Sequence, residues 1–497
     1  MPRTYQKLYI MALAFGVLLT VTGLFWDFGN IIQGLKVIVT TQDMLITDYV
    51  EIAGIGSALV NAGIVTMISV GILFFAKEPF NGMTIVTTML MAGFALFGKN
   101  FVNIWPIIFG SWLYAKFKHE NFSKYVSVSL LATALAPLVS YMALGSNIAS
   151  IPVGIISGII VGFLIPPISG YTYKIQNGIN LYNVGFACGL FALMIVPVLT
   201  AFGDNPPTAM YWSTSTTEVW GVMLTVFCVG LFVSGMLFCG QKPGEVWGKY
   251  RELLKKSGRS PSDFLRMFGI APVLVNMAFT GIIGMLYIII IGGDLNGPTV
   301  GGIFTIMGFA AFGKHPRNMT PILVGVLLGA FGMHLEPNSP TLQLAGLFGT
   351  TLAPITGRFG IIAGIIVGFI HASLVQQTSS AVAGMNLYNN GFSGGLIAIV
   401  AYPIFTEFFK RRKIKIRDKD YFEMFEEATP IDPDQHISPN EVADAMDEEL
   451  KRLLKIKHDK ENQDKKHDKK EGFMHYDDLH PDDYTFNIHE KKQDGEE

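Results

Sequence analysis

Charge is scarce over most of this chain: Asp, Glu, Lys and Arg make up only 15% of its 497 residues. Half of the residues are hydrophobic, 53 are glycine and the mean hydropathy is +0.40, a balance that excludes an ordinary soluble domain. The few charges gather in the stretch 241–266 and after Lys410, so the net charge of -2 carries no information about partners, and no nucleic acid is expected among them. Cysteine is nearly absent. Cys188, Cys228 and Cys239 all lie in apolar runs, without disulfide or zinc-ligand spacing, and read as small apolar filler. Carboxylates are missing from the middle of the long apolar runs, since Glu51 and Asp294 stand near predicted ends. Proton coupling through a buried carboxylate is therefore weakly supported. His371 and His315 are the embedded titratable groups, and coupling to sodium through amides and carbonyls, or no coupling, fits equally well. There is no phosphate-cradling loop, metal-ligand cluster, nucleophile elbow or dinucleotide fingerprint, so no cofactor, metal or enzymatic activity is expected.

Long apolar runs are what the chain has instead. Leu8–Trp26 and Val219–Cys239 suffice to cross about 30 Å of hydrocarbon at about 1.5 Å per residue. The first has a basic lead, Arg3 and Lys7, but Trp26-Asp27-Phe28 stands where a small-residue cleavage site would be, so it reads as a retained span. The fold class is an all-α polytopic transmembrane bundle.

The chain also repeats itself. Phe80-Asn-Gly-Met-Thr84 recurs as Leu295-Asn-Gly-Pro-Thr299, and Gly93-Phe-Ala-Leu-Phe-Gly-Lys99 as Gly308-Phe-Ala-Ala-Phe-Gly-Lys314, both 215 positions on (80 to 295, 93 to 308). Asn61 and Asn276, Asn103 and Asn318, and Pro106 and Pro321 keep the same register. Farther on, Ile155–Phe163 pairs with Ile361–Phe369, and Asn180-Leu-Tyr-Asn-Val-Gly-Phe186 with Asn386-Leu-Tyr-Asn-Asn-Gly-Phe392, at 206 positions (180 to 386). Similarity by chance between apolar helices would not hold polar residues in register.

Six segments follow: a leading helix and connector (1–48), repeat one (49–203), a linking helix (204–240), a basic linker (241–265), repeat two (266–408) and a charged tail (409–497). Lys and Arg favour the cytoplasmic side of short loops, which puts the linker, Lys410–Lys413, the N-terminus and the tail inside. Lys77, Lys116, Lys118, Lys124 and Lys174 then fall in inside loops of repeat one, and Arg358 in one of repeat two, while the outside loops lack Lys and Arg. The two repeats are thereby inverted, an architecture common to secondary transporters and some channels, with the site between the halves.

Met83–Phe97 and Pro298–Gly313 reach only about 22 to 24 Å as helices, and each is followed at once by a second apolar run, Phe101–Ala115 or Met319–Met333. Each pair is expected to form a re-entrant hairpin, with full spans as the alternative. Gly98-Lys99-Asn100 and Gly313-Lys314-His315 are the expected tips, two lysines meeting across a pseudo-twofold axis. An embedded lysine needs water, a counter-charge or an anionic substrate, which points to an anion-accepting site aided by Asn100, Asn103, His315, Arg317 and Asn318. The bland alternative is that both lysines merely end full spans. Asn61 and Asn276 sit mid-helix, as interhelical glue or as ligands. Asn180, Tyr182 and Asn183, with Asn386, Tyr388 and Asn389, either cap helix starts or line the pathway.

Outside the bilayer, Gln241–Pro261 reads as a basic amphipathic segment suited to anionic lipid headgroups. A short tail helix starts at Ser438-Pro439-Asn-Glu441, and a disordered stretch beyond Lys457 carries His458, His467, His475, His480 and His489 as solvated residues. The paired Asn-Gly-x-Thr, Gly-Phe-Ala-x-Phe-Gly-Lys and Asn-Leu-Tyr-Asn-x-Gly-Phe motifs resemble a family of bacterial multi-pass membrane proteins known only as a domain of unknown function, over residues 1–420. That resemblance implies a bacterial plasma membrane and no substrate. The inferred topology is also similar, without shared motifs, to inverted-repeat carriers with two re-entrant hairpins and to the urea-transporter fold. The expected function is a secondary transporter or facilitator for a small polar solute, anionic or uncharged. A selective channel on the same scaffold is the first alternative, and a membrane scaffold or sensor acting through the tail the second. The partners implied are that solute or ion, the lipid bilayer and further copies of the chain.

Overall fold

The computed structural model describes residues 3–43, 46–206 and 210–411. The expected tail helix and tail histidines lie outside the described residues. The first half comprises α1 (Arg3–Trp26), α2 (Ile31–Thr40), α3 (Tyr49–Phe75), α4 (Gly82–Phe94), α5 (Trp105–Phe117), α6 (Ser123–Ala132), α7 (Ala136–Leu144), α8 (Ile151–Gln176) and α9 (Asn183–Ala201). The second comprises α10 (Thr217–Val233), α11 (Pro243–Leu253), α12 (Phe264–Phe268), α13 (Ile270–Ile290), α14 (Gly297–Phe309), α15 (Pro316–Gly332), α16 (Pro340–Gly349), α17 (Ala353–Phe359), α18 (Ile361–Ala381) and α19 (Asn389–Arg411). Among the described residues there is no strand, only isolated bridges, and nine helical segments are long and apolar enough to cross a membrane. This is an all-α polytopic bundle.

The repeated residues act locally in matching ways. In Asn81-Gly-Met-Thr84, Thr84 N donates to Asn81 Oδ1 (3.0 Å) and Asn81 N to Thr84 Oγ1 (3.1 Å), a capping box that starts α4. Asn296 and Thr299 start α14 the same way, at 3.2 and 2.8 Å. Gly54, at a kink inside α3, and Gly269, just before α13, also 215 positions apart (54 to 269), interrupt the helical geometry with φ of 80° and 84°. Only glycine adopts such angles without strain.

A pseudo-twofold axis relates the halves. Helix α1 packs on α3 and α10 on α13, so the leading and linking helices occupy equivalent places. Helices α4 and α14 run antiparallel and nearly in backbone contact: a Cβ added at Gly93 would lie 2.8 Å from Gly301 O, and one at Gly301 2.6 Å from Gly93 O. Small residues permit that approach. Helices α1 and α10 meet at the stacked Phe15 and Phe227 rings, 5.2 Å apart. By contrast, the first two turns of α9 and α19 run side by side in one direction, Gly185 against Tyr388 and Gly189 against Phe392. The axis therefore lies across α4 and α14 and along the start of α9 and α19. Helices α4 and α14, which cross that axis, are thereby reversed relative to one another, as in an inverted repeat.

Candidate functional site

The turns after α4 and α14 are built identically, and each is docked on the other half. Tyr49 N donates to Leu96 O (3.1 Å) and Phe264 N to Ala311 O (3.0 Å), pairs matched by the 215-position offset (49 to 264, 96 to 311). Asp263 accepts from Arg266 N of its own helix and from Gly82 N at the start of α4 (2.9 Å). Asp48 likewise accepts from Val50 N, Ser213 N and Gly297 N at the start of α14. Each turn thus sits level with the start of the opposite short helix. Since α4 and α14 are antiparallel and about 20 Å long, the two turns stand at opposite ends of the pair. The expectation that the tips meet is corrected here: antiparallel packing along the whole length of α4 and α14 holds them apart.

The lysine side chains fold back toward the middle instead. Lys314 is fully buried, and its Nζ donates to Tyr182 Oη and to Thr350 Oγ1 (2.6 Å), lying 4.4 Å from the Tyr182 ring centroid and 5.4 Å from that of Phe309. Lys99 is also fully buried, with Nζ 3.5 Å from Met91 Sδ and 5.1 Å from the Phe94 ring centroid. Between them lies a layer of rings. Tyr182 and Tyr388 are 5.6 Å apart, Phe94 and Tyr388 4.4 Å, Phe94 and Phe348 5.7 Å. Among the described residues no carboxylate lies within ion-pairing distance of either ammonium. Cation–π contacts offset part of the cost of burying such a charge, which runs to several kcal/mol.

The predicted asparagines hold the turns. Asn61 Nδ2 donates to Ala95 O (2.7 Å) and Lys99 O (2.8 Å), and Asn276 Nδ2 to Ala310 O (2.8 Å) and Lys314 O (2.7 Å). Asn100 N donates to Asn103 Oδ1 and His315 N to Asn318 Oδ1, both at 2.9 Å, while Asn103 Nδ2 and Asn318 Nδ2 return to Gly98 O and Gly313 O. His315 is anchored by Nε2 to Lys256 O (2.8 Å). Asn183 ties α9 to α8 at Ser169, and Asn389 ties α19 to α18 at Ser379. Asn180 and Asn386 reach across the axis to Gly391 O and Gly185 O. Among the predicted residues, Lys99, Lys314, Tyr182 and Tyr388 are brought together at the centre, and the asparagines brace the backbone around them.

Several contributors escaped sequence reasoning. Thr133-Ala-Leu-Ala-Pro137 and Thr350-Thr-Leu-Ala-Pro354 form a third repeated motif, 217 positions apart (133 to 350), at the break between α6 and α7 and between α16 and α17. The break follows from a proline that cannot continue a helical ladder. Leu181 N and Leu387 N cross the axis to these breaks, bonding Thr351 O (3.2 Å) and Ala134 O (3.1 Å). Asp43, in the connector before α3, was also missed. Its carboxylate accepts from Tyr49 Oη (2.8 Å), Asn103 Nδ2 (3.1 Å) and Ser140 Oγ (2.7 Å) beside the first turn, and burial pushes its pKa up to about 7 against those bonds.

A family model matches residues 28–201 and 242–407, which contain both lysines and both ring clusters. The chain belongs to the family described as a protein of unknown function, DUF1576. The matched stretches of this family leave out α1 and α10 and cover everything that builds the centre. No curated protein and no solved structure matches the chain.

One cavity, of about 50 Å³, reaches the centre. It runs from Lys124, Ser127, Tyr173 and Ser260 to Tyr182, Tyr388 and Phe309. That volume holds a few water molecules or one small ion. On the opposite side the position equivalent to Leu131 is Phe348 (131 to 348, 217 positions), whose ring packs on Phe94 and Tyr182.

Proposed function

We propose that this protein is a secondary transporter or facilitator for a small anionic solute in a bacterial cell membrane. The observation that carries the reading is the pair of fully buried lysines without carboxylate partners, at repeat-related positions on either side of the ring layer. A permanent pair of uncompensated charges is costly, whereas one that meets a transient anion is repaid at each visit. The helix pairs α4–α5 and α14–α15 act as re-entrant hairpins under this reading. The N-terminus and tail are cytoplasmic, as the lysine-bearing loops require, and the cavity bordered by Lys124 opens to the cytoplasm. Alternating access follows from the two reversed halves rocking about the shared ring layer. The continuous ring packing favours a carrier over an open channel, and no catalysis is proposed.

The test is anion flux into proteoliposomes holding the full-length chain. Uptake that saturates with anion concentration, and that falls at least tenfold in Lys99→Met, supports the carrier reading. Flux indistinguishable from empty liposomes for nitrate, thiocyanate, formate and acetate sinks it, and flux that rises without saturation moves the assignment to the channel.

A further inference from the structure

The two lysine half-sites are not equivalent, although the repeat relates them residue by residue. Tyr182 and Thr350, which hold Lys314, correspond to Tyr388 (182 to 388), whose ring packs on Phe94, and Thr133 (133 to 350), which meets Met91; Phe94 and Met91 are the neighbours of Lys99 Nζ. Symmetry would have Lys99 held by that pair. Instead Lys99 Nζ finds, among the described residues, only the Met91 thioether as an acceptor, a weak one, and Thr133 turns its hydroxyl to Leu130 O and Met91. Tyr388 Oη, fully enclosed, has no hydrogen-bond partner among the described residues. A buried hydroxyl without a partner is costly and calls for an explanation.

The residues around Lys99 differ from their counterparts in a consistent sense. Met91 replaces Ile306 (91 to 306, the 215-position offset) and Cys188 replaces Gly394 (188 to 394, the 206-position offset). Cys188 is fully buried, like Lys99, and lies within electrostatic range of both Lys99 and Tyr388. Two sulfurs and the Phe94 ring give that region a soft, polarizable, poorly hydrating wall. The known cavity ends on Tyr388 and Tyr182.

We propose that Lys99 and Tyr388 form the anion-binding subsite of this protein, selective for one small, singly charged, weakly hydrated anion, while Lys314 is latched by Tyr182 and Thr350. This rests on the transport reading and sharpens it. A single ammonium neutralises a single charge, and a second charge on the ligand would stay uncompensated among apolar groups. Strongly hydrated anions would lose more water than two donors replace. Tyr388 supplies its free O–H as the second donor, bridging from the cavity end to the ammonium.

The test is a thermal-shift titration of the purified full-length chain in detergent with sodium nitrate and sodium thiocyanate. Millimolar concentrations keep general salt effects small, and sodium sulfate serves as the dianion comparator. Nitrate and thiocyanate should stabilise the parent saturably, and sulfate should not. The half-maximal concentration should rise at least about tenfold in Tyr388→Phe and in Lys99→Gln, and stay within about twofold in Tyr182→Phe. Tyr388→Phe removes one oxygen and keeps the ring against Phe94, so it decides the matter if Lys99→Gln fails to fold. Nitrate stabilisation that survives Tyr388→Phe, or that is lost equally in Tyr182→Phe, overturns the subsite while anion flux can still stand. Absence of stabilisation in the parent overturns it too, and if nitrate flux is also absent the transport reading falls with it.

Discussion

The two repeat-related asparagines offer a differential test, because they do the same work with unequal completeness. Asn61 donates to the carbonyls of Ala95 and Lys99 and accepts from Phe101 N at 3.3 Å. Asn276 donates to Ala310 and Lys314, but its Oδ1 has no partner among the described residues. Replacing Asn61 by Leu strands two carbonyls and one N–H, about 3 kcal/mol at about 1 kcal/mol for each group. Replacing Asn276 by Leu strands two carbonyls but also removes one unsatisfied oxygen, leaving a net loss of about 1 kcal/mol on the same scale. Asn61→Leu should thus be the costlier change by about 2 kcal/mol, read as the difference in unfolding free energy in mixed micelles. Equal losses, within about 0.5 kcal/mol, or a larger loss at Asn276, would refute the claim that these side chains brace the turns through the bonds named.

Further consequences follow from the packing and the charges. Gly93→Val places a side chain against Gly301 O, where a Cβ alone would sit 2.8 Å away, and should sharply reduce folded yield by size exclusion; Gly221→Ala, whose Cβ would meet Leu295 at 3.8 Å, should not. Asp43, with its pKa pushed up to about 7 by burial, binds its proton more tightly folded than unfolded. Its contribution is therefore greatest at low pH and is lost as pH rises from about 4 to 7, so Asp43→Asn should flatten the fall in melting temperature over that window, with Asp48 leaving a residual slope. Deleting residues beyond about 420 should leave nitrate flux unchanged, since the matched family stretches end at 407; loss of flux with intact folding would favour a tail-borne function.

Much of the architecture was legible because polar residues were repeated in register within apolar sequence. Asn81 and Thr84 could be matched to Asn296 and Thr299, and they prove to be the capping boxes of the two short helices. Asn61 and Asn276 were legible as a pair, but the sequence left open whether they bond protein or ligand; the carbonyls they meet belong to turns 34 to 38 residues away. The separation of the turns was illegible for a related reason. It depends on α4 and α14 lying antiparallel in close contact, a tertiary fact carried by glycines that sequence cannot distinguish among 53. The ring layer was hidden likewise, since Phe94, Phe309 and Phe348 are three of 37 phenylalanines. The threonine breaks were readable in principle, but their 217-position offset fits neither the 215- nor the 206-position register, and the Ala, Leu and Pro beside the threonines are common in apolar helices.

The reversal of the second half underlies everything said of the centre, and side-specific labelling tests it most directly. Lys77 and Glu336 are exposed near the ends of α3 and α15. With Cys188, Cys228 and Cys239 replaced by serine or alanine, single cysteines at these two positions should react with an impermeant maleimide from opposite sides of sealed, oriented vesicles, Lys77→Cys from the cytoplasmic side. Labelling of both from one side would place the two halves in the same orientation and contradict the inverted repeat.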